Sequence, residues 1–218
     1  MTLEELNQRI IQENKNRLFE GATQIVHGDG NPHAEIMFIG EAPGAKEDEL
    51  GKPFVGAAGK LLSEMLSQNG FTREDVYITN VVKCRPPGNR DPLQTEVDHY
   101  WPYLEKEIQI IQPKIIVLLG RHAMNRFFPS FKITQVHGKC YRRSDGIVYI
   151  TLYHPAAALY NGGLKETLFH DFKKVTQVLQ KLKEGVTESH KVSEYSSIKN
   201  LHFLEEELNK TKSQQSLF

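Results

Sequence analysis

The chain has 218 residues, of which 39% are hydrophobic and 25% are charged, and its 27 basic residues balance its 27 acidic ones. This composition is typical of a folded domain and excludes a chain that is disordered throughout. No apolar stretch approaches the roughly 20 residues that cross a bilayer, and the two cysteines, far apart in sequence, exclude a disulfide framework.

The N-terminal segment MTLEELNQRIIQENKN predicts a polar amphipathic helix rather than a signal peptide, so we expect a soluble, cytoplasmic protein. Strand-like and helix-like segments alternate after it. Gly70 is the predicted C-cap of the first of these helices, Thr95 is the predicted N-cap of the next, and Pro102 is expected to kink or restart that helix. The predicted strands cover 35–40, 75–82, 114–120 and 147–153, and the predicted helices cover 58–70, 95–112, 121–128 and 164–184.

Uninterrupted apolar strands that alternate with helices are typical of a parallel sheet covered on both faces. We therefore predict an α/β fold over residues 1–184, a three-layer α/β/α sandwich with a central, mostly parallel four-stranded sheet. The composition becomes polar after this point, and residues 185–218 are predicted to form a linker and C-terminal tail.

Three of the predicted strands end in unusual residues. The first runs into GEAPG, the second ends near Asn80 and enters VKCRPPGNRDP, and the last ends at Tyr153, His154 and Pro155. Each of these features is, by itself, more often an ordinary turn than a functional site. Because ligands bind at the carboxyl ends of parallel strands, their presence at one sheet edge predicts a site there.

The segments GEAPGAKEDELGKPFVGAAGKLL, VYITNVVKCRPPGNRDP and YHPAA resemble, in this order, the motifs of the uracil-DNA glycosylase superfamily, above all its family 4. With NPHAEIMFIG and KIIVLLG, the resemblance spans roughly residues 1–182. It implies a DNA repair enzyme of base excision that flips uracil out of DNA and hydrolyses its N-glycosidic bond. A monofunctional glycosylase that leaves an abasic site, without strand cleavage, is expected.

The resemblance also implies a uracil pocket. Phe54 corresponds to the aromatic residue that stacks on uracil, Asn80 to the amide that pairs with the uracil edge, and His154 to the histidine that stabilises charge on uracil O2. A neutral imidazole with one N–H is sufficient for that role. The backbone of the GEAPG loop is expected to contact uracil or a phosphate at Gly40, Ala42 and Gly44.

The acidic residues of this loop divide by position. Glu41 and Glu47 are the predicted catalytic acids, and Glu47 is expected to position the attacking water or to steady the cationic sugar. Ala42 stands where some relatives carry a water-orienting aspartate. The alternative for Glu47, and the favoured interpretation of Asp48 and Glu49, is a solvated helix start.

The predicted DNA contacts follow the second and the last strand. Lys83, Arg85 and Arg90 are expected to contact phosphates beside the flipped nucleotide. The loop after His154 corresponds to the wedge that fills the hole left in the duplex, with Leu159 or Tyr160 as its tip.

Family 4 members usually hold an iron–sulfur cluster through four cysteines. Only Cys84 of these is present, and Glu13, Asn16 and Tyr100 stand at the other three positions. We therefore predict no cluster and no other cofactor or metal, with Tyr100 and its neighbours filling the space.

The last five residues, QQSLF, resemble the peptide by which bacterial repair enzymes hold the sliding clamp, with Gln214, Leu217 and Phe218 as the contacts. The alternative is that the Leu-Phe pair docks back on the domain. Two functions stay open: a monomeric glycosylase, or a non-catalytic binder of uracil-containing or damaged DNA tethered to the clamp. A phosphate-loop nucleotide-binding protein is disfavoured because the chain lacks a GK[ST] element.

Overall fold

The computed structural model describes residues 1–14 and 20–184. Asn16 and the predicted clamp-binding residues Gln214, Leu217 and Phe218 lie outside these ranges. Among the described helices, none is long and apolar enough to span a membrane.

The centre of the molecule is a six-stranded mixed sheet with the strand order β1-β3-β2-β4-β6-β5. Strands β3, β2, β4 and β6 run parallel, and the edge strands β1 and β5 pair antiparallel to β3 and β6. The strands are β1 Asp29–Gly30, β2 Ile36–Gly40, β3 Tyr77–Asn80, β4 Ile115–Leu119, β5 Cys140–Arg142 and β6 Val148–Leu152.

The α/β class is confirmed, and the four parallel strands are the four that the sequence predicts. The predicted strand count was wrong, because the two edge strands contain only two and three residues. Segments this short carry no alternation of apolar and polar residues, so the sequence pattern cannot reveal them.

Helices cover both faces of the sheet, because alternate strand residues point to opposite sides. The helices are α1 Leu3–Glu13, α2 Ala45–Leu50, α3 Ala57–Gln68, α4 Gln94–Ile111, α5 Gly120–Phe127, α6 Ile133–Val136, α7 Pro155–Ala158 and α8 Gly162–Lys183. Phe38 and Ile78 belong to the core beneath α3 and α8, whereas Met37 and Tyr77 belong to the core beneath α1, α4 and α5.

The predicted N-cap of α4 was wrong. The N-cap is Leu93 rather than Thr95, and the Glu96 carboxylate accepts the Leu93 backbone N–H at 2.7 Å. The helix does not restart at Pro102, since it is continuous over Gln94–Ile111. Tyr100 before the proline, and Leu104 and Ile111 after it, are buried against the sheet. This packing outweighs the one backbone hydrogen bond that the proline removes from the helix.

Candidate active site

The loop after β2 presents Phe54 in a left-handed backbone conformation, with φ of 53°. Such a conformation is rare for an aromatic residue and persists only where neighbours enforce it. The Arg73 guanidinium donates to the carbonyl oxygens of Pro53 and Phe54 at 2.8 and 3.0 Å. On the other side of the loop, Glu47 Oε1 accepts the N–H groups of Val55 and Gly56 at 2.9 and 2.8 Å. The ring of Phe54 is therefore held in place from two directions.

Gly40, Phe54 and Asn80 meet at the carboxyl ends of β2 and β3. A Cβ atom on Gly40 would collide with Asn80 Oδ1 and would lie 2.6 Å from Phe54 Cζ, so only glycine fits. The Asn80 side chain is buried, and its Oδ1 has no hydrogen-bond partner among the described residues. A buried amide acceptor beside an aromatic ring is suited to an N–H donor of a planar ligand.

His154 follows β6 at the same edge, and its ring centroid lies 5.6 Å from that of Phe54. Its Nδ1 accepts the backbone N–H of Ala156 at 3.1 Å, which leaves the proton on Nε2. Burial lowers the pKa of His154 to about 4, with Glu47 opposing and His122 reinforcing the shift. The imidazole is therefore neutral near pH 7 and offers one N–H.

Gly120 is a member of this site that the sequence analysis did not single out. It has a φ of 87°, and a Cβ atom there would lie 2.9 Å from His154 Cβ. The signal was present in the sequence, because this glycine ends the strand KIIVLLG at the same sheet edge.

Glu41 lies beside His122 and Asp91, which the sequence analysis also missed. His122 Nε2 is 3.8 Å from Glu41 Oε2 and 3.2 Å from Asp91 Oδ2. Burial and the charge of Asp91 raise the pKa of Glu41 to about 7, and Arg121 opposes this shift. The three ligand atoms lie close enough together to hold a metal ion, but the Arg121 guanidinium contacts Asp91 at 2.6 Å and supplies the positive charge there.

The other acids of the loop have separate surroundings. Asp48 is buried and accepts the backbone N–H and the hydroxyl of Thr23 at 2.9 and 2.8 Å, so the predicted solvated position was wrong. Glu49 is exposed and pairs with Lys46 at 2.7 Å. Gly44 is the N-cap of α2, and a Cβ there would lie 2.8 Å from Glu47 Oε2; Ala42 packs against the core beneath α1, α4 and α5.

Lys83 does not reach the surface, and its predicted phosphate contact was wrong. The side chain is fully buried, and Nζ lies 2.6 Å from Glu107 Oε2. The sequence shows that this loop contains basic residues. It does not show that one of them forms a buried ion pair with a glutamate on a distant helix. Arg85 is half-buried and donates to Asn89 Oδ1 at 2.8 Å, while Arg90 pairs with Glu96 at 2.7 Å.

The proposed wedge residues follow α7. Leu159 is 39% exposed and Tyr160 is 94% exposed, the highest value among the large exposed hydrophobic residues of the described chain. Both lie within six residues of His154 and thus near the same sheet edge.

The residues around Cys84 do not fit an iron–sulfur cluster. The Tyr100 hydroxyl lies 3.0 Å from Cys84 Sγ and 2.9 Å from Asn14 Oδ1, and Asn14 Nδ2 donates to Cys84 Sγ at 3.5 Å. The other cysteine, Cys140, is buried on β5 at the far edge of the sheet. A hydroxyl and an amide therefore occupy the surroundings where further thiolates would be needed.

Comparison with known proteins agrees with this geometry. The family model described as uracil DNA glycosylase superfamily matches residues 27–183. A type-4 uracil-DNA glycosylase of Sulfurisphaera tokodaii is 48% identical over 186 residues, which are 81% of this chain and 84% of the relative. The type-4 uracil-DNA glycosylase of Archaeoglobus fulgidus is 47% identical over 83% of this chain and 94% of its own length. That of Thermotoga maritima is 42% identical over 73% of this chain and 85% of its own length.

Proposed function

The chain belongs to the uracil-DNA glycosylase superfamily and is similar throughout its domain to type-4 enzymes, and on this premise we propose that it excises uracil from DNA. The observation that carries the proposal is the unpartnered amide oxygen of Asn80 between Gly40 and the Phe54 ring, at the edge where neutral His154 stands. The uracil edge has one imide N–H and two carbonyls, which an amide can pair with. The reaction is hydrolysis of the N-glycosidic bond.

Asn80 and Phe54 hold the flipped base in this proposal. The base stacks on the Phe54 ring, its N3–H donates to Asn80 Oδ1, and the Asn80 amide nitrogen donates to a uracil carbonyl. Gly40 admits the base because it has no Cβ, and the backbone near Ala42 and Gly44 forms the wall of the pocket.

His154 stabilises the leaving group. When the bond between C1′ and uracil N1 breaks, its electron pair passes to the base and accumulates on O2, where the Nε2–H of the neutral imidazole donates to it. The ring need not transfer its proton, because the stabilisation is electrostatic. Its lowered pKa supports this assignment, since the neutral form is present across the physiological range.

Water then adds to C1′ and loses a proton, so that the products are free uracil and an abasic sugar. Glu47 is the candidate for the acid that faces this water or the cationic sugar. Its Oε1 already holds the Phe54 loop, so Oε2 is the oxygen proposed for this role. Glu41 is a second candidate. Its pKa is raised to about 7, so that its carboxyl group is protonated below that pH.

The surface residues around the pocket are proposed to contact DNA. Arg85 and Arg90 contact phosphates, and Leu159 or Tyr160 fills the space left by the flipped nucleotide. The exposure of both apolar side chains supports the wedge assignment, because water-exposed side chains of this size gain from stacking against bases.

We propose that the enzyme acts as a cytoplasmic monomer without an iron–sulfur cluster, and that Gln214, Leu217 and Phe218 bind a bacterial sliding clamp. The polar surroundings of Cys84 support the first part. The clamp assignment rests on the peptide QQSLF alone. Deletion of residues 214–218 should abolish binding to immobilised clamp and leave excision from short oligonucleotides unchanged.

The direct test is incubation with single- and double-stranded oligonucleotides that carry one uracil, followed by alkali. Alkali-dependent cleavage at uracil, absent when thymine replaces it and strongly reduced in Asn80→Ala and His154→Ala, supports the proposal. If uracil-containing DNA is instead retained selectively on a gel and no cleavage occurs, the chain is a non-catalytic protein that binds this lesion.

A further inference from the structure

A buried ion pair lies on the face of β3 that is turned away from the uracil pocket. Tyr77 and Thr79 point to this face, whereas Asn80, one residue further, points to the opposite face with Phe54. Here Lys83 Nζ lies 2.6 Å from Glu107 Oε2, and both side chains are fully buried. Glu107 comes from α4, so the pair joins that helix to the end of β3.

The three N–H groups of the Lys83 ammonium have three acceptors. These are Glu107 Oε2 at 2.6 Å, the Thr79 hydroxyl at 2.6 Å and the backbone carbonyl of Asn80 at 2.9 Å. The Thr79 hydroxyl in turn donates to the Glu107 carboxylate at 3.1 Å, and the Tyr77 hydroxyl donates to it at 3.3 Å. The network is therefore complete at the ammonium group.

The contact with the Asn80 carbonyl has a consequence for the pocket. The peptide bond between Asn80 and Val81 is held at its other side too, because the Val81 N–H donates to the Gly40 carbonyl at 2.9 Å. The backbone before this peptide is held by the pairing of β3 with β2. With the backbone on both sides of Asn80 held, the Asn80 Cα–Cβ bond keeps one direction, and the side-chain amide starts from that direction. We propose that Lys83 and Glu107 are positioning residues, which hold the Asn80 backbone so that the side-chain amide points at the uracil edge. This inference rests on the uracil-DNA glycosylase function proposed above.

Stability alone does not account for this arrangement. Removing two charges from water costs about as much as their attraction returns, and apolar residues of similar volume serve a core equally well. An apolar pair, however, cannot donate to the Asn80 carbonyl. Burial lowers the pKa of Lys83, and the Glu107 carboxylate opposes that shift.

The test is a double-mutant cycle between the ion pair and the amide that it positions. Lys83→Met/Glu107→Gln removes both charges together, and the amide introduced in place of the Glu107 carboxylate remains a partner for Tyr77 and Thr79. The effect of this double change on the single-turnover rate of uracil excision is measured both in the wild type and in the Asn80→Ala background. The control for loss of an ion pair away from the site is Lys114→Met. Lys114 precedes β4 and pairs at 2.6 Å with Glu35, which precedes β2; this pair is partly exposed, and Glu35 keeps Lys183 as a partner. Thermal unfolding is recorded for every variant.

We expect Lys83→Met/Glu107→Gln to slow excision by about 100-fold, as for a group displaced by about an ångström. In the Asn80→Ala background the same change should matter by less than about twofold, because coupled residues are not additive. Lys114→Met should leave the rate unchanged. An unchanged rate in the double variant, or the same loss in both backgrounds, overturns the inference.

Selective binding separates this inference from the proposed function. The affinity for an oligonucleotide with uracil is measured against the same oligonucleotide with thymine. If the wild type binds uracil selectively without excising it, the glycosylase proposal fails, and the positioning role is then decided by whether Lys83→Met/Glu107→Gln removes that selectivity. If a variant fails to fold, Lys83→Met/Glu107→Leu, an apolar pair that cannot donate to the Asn80 carbonyl, is compared in the same cycle. Excision or selectivity at the wild-type level then overturns the inference, and a loss seen only where Asn80 is intact supports it.

Discussion

The Arg73 guanidinium donates to the Phe54 carbonyl at 3.0 Å and holds that residue in a left-handed backbone conformation. The second donor of the guanidinium binds the carbonyl of Pro53 at 2.8 Å. One planar guanidinium group therefore donates to two neighbouring carbonyl oxygens, and a lysine ammonium does not reproduce this geometry. The proposed stacking surface of the pocket thus depends on Arg73, a residue outside the proposed base contacts.

We expect Arg73→Lys to lower uracil excision by about 10-fold and Arg73→Met by about 100-fold, because the Phe54 ring loses its fixed position. The unpaired carbonyls should also lower the free energy of unfolding by about 1–3 kcal/mol in Arg73→Met. Single-turnover rates and denaturant unfolding measure the two effects. Arg9→Met, which removes an exposed helix ion pair with Glu13, is the control. A wild-type rate in Arg73→Met would contradict the role assigned to this contact.

Gly40→Ala should remove uracil excision with little change in the backbone. The φ of Gly40 lies outside the left-handed region, so alanine can adopt it, but the added Cβ collides with Asn80 Oδ1 and lies 2.6 Å from Phe54 Cζ. We expect the rate to fall by at least about 100-fold, because the two groups proposed to hold the base must move apart. Gly162→Ala is the matched control, since a Cβ there meets nothing within 4 Å. Equal rates for the two variants would show that the pocket tolerates the methyl group.

The placement of Phe54, Asn80 and His154 at one edge was predictable, because parallel strands end at the same edge and the motifs follow three of them. The position of Lys83 was not, since its partner Glu107 lies 24 residues away on another element. Asp48 was misassigned for the same reason: its partner Thr23 belongs to a segment without a recognisable pattern. Periodicity and motifs indicate which residues reach an edge, whereas pairing across the fold decides which of them face solvent.

The stability of the folded chain should respond to pH in opposite directions through His154 and Glu41. The pKa of His154 is about 4 in the folded state against an ordinary value of 6.5, so between these values the unfolded chain binds more protons and stability rises with pH. The pKa of Glu41 is about 7 against an ordinary value of 4.5, so the folded chain binds more protons between these values and stability falls as pH rises.

The two effects overlap and partly cancel in the wild type between about pH 4.5 and 6.5. We expect Glu41→Gln to show stability that increases over this range, and His154→Gln to show stability that decreases. The total change in unfolding free energy that His154 contributes is about 3 kcal/mol, and that of Glu41, which is partly exposed and screened by solvent, is smaller. Denaturant unfolding of the three proteins at half-unit pH intervals measures the slopes. Identical pH dependence in wild type and both variants would mean that neither group titrates differently on folding.

The same pKa of His154 makes a prediction for catalysis. If the neutral imidazole stabilises the leaving uracil, the rate of excision should show no loss attributable to His154 protonation until the pH falls towards about 4. A protonated histidine acting as a general acid instead predicts a rate that rises steadily as the pH is lowered from 8 to 5, because the protonated fraction increases over this whole range. The measurement is the single-turnover rate between pH 5 and 8, with Glu41→Gln run in parallel, because any inflection near pH 7 that disappears in this variant belongs to Glu41.

Tyr100 should support the fold near Cys84 without any contribution from iron. Tyr100→Phe deletes the hydroxyl that bridges Asn14 Oδ1 and Cys84 Sγ, and the loss of this buried contact should cost about 1 kcal/mol of unfolding free energy, because His99 Nε2 remains 3.3 Å from Asn14 Oδ1. Excision of uracil should stay near the wild-type rate at temperatures where the variant is folded, because this cluster lies on the α1 and α4 side of the sheet, away from Phe54.

The chain should also bind no iron–sulfur cluster. Protein purified without oxygen, and protein incubated with iron and sulfide, should contain no stoichiometric iron and should lack the visible absorption of such a cluster. A chelator should likewise leave activity and thermal unfolding unchanged, whereas four iron atoms per chain would contradict the hydrogen-bonded arrangement around Cys84.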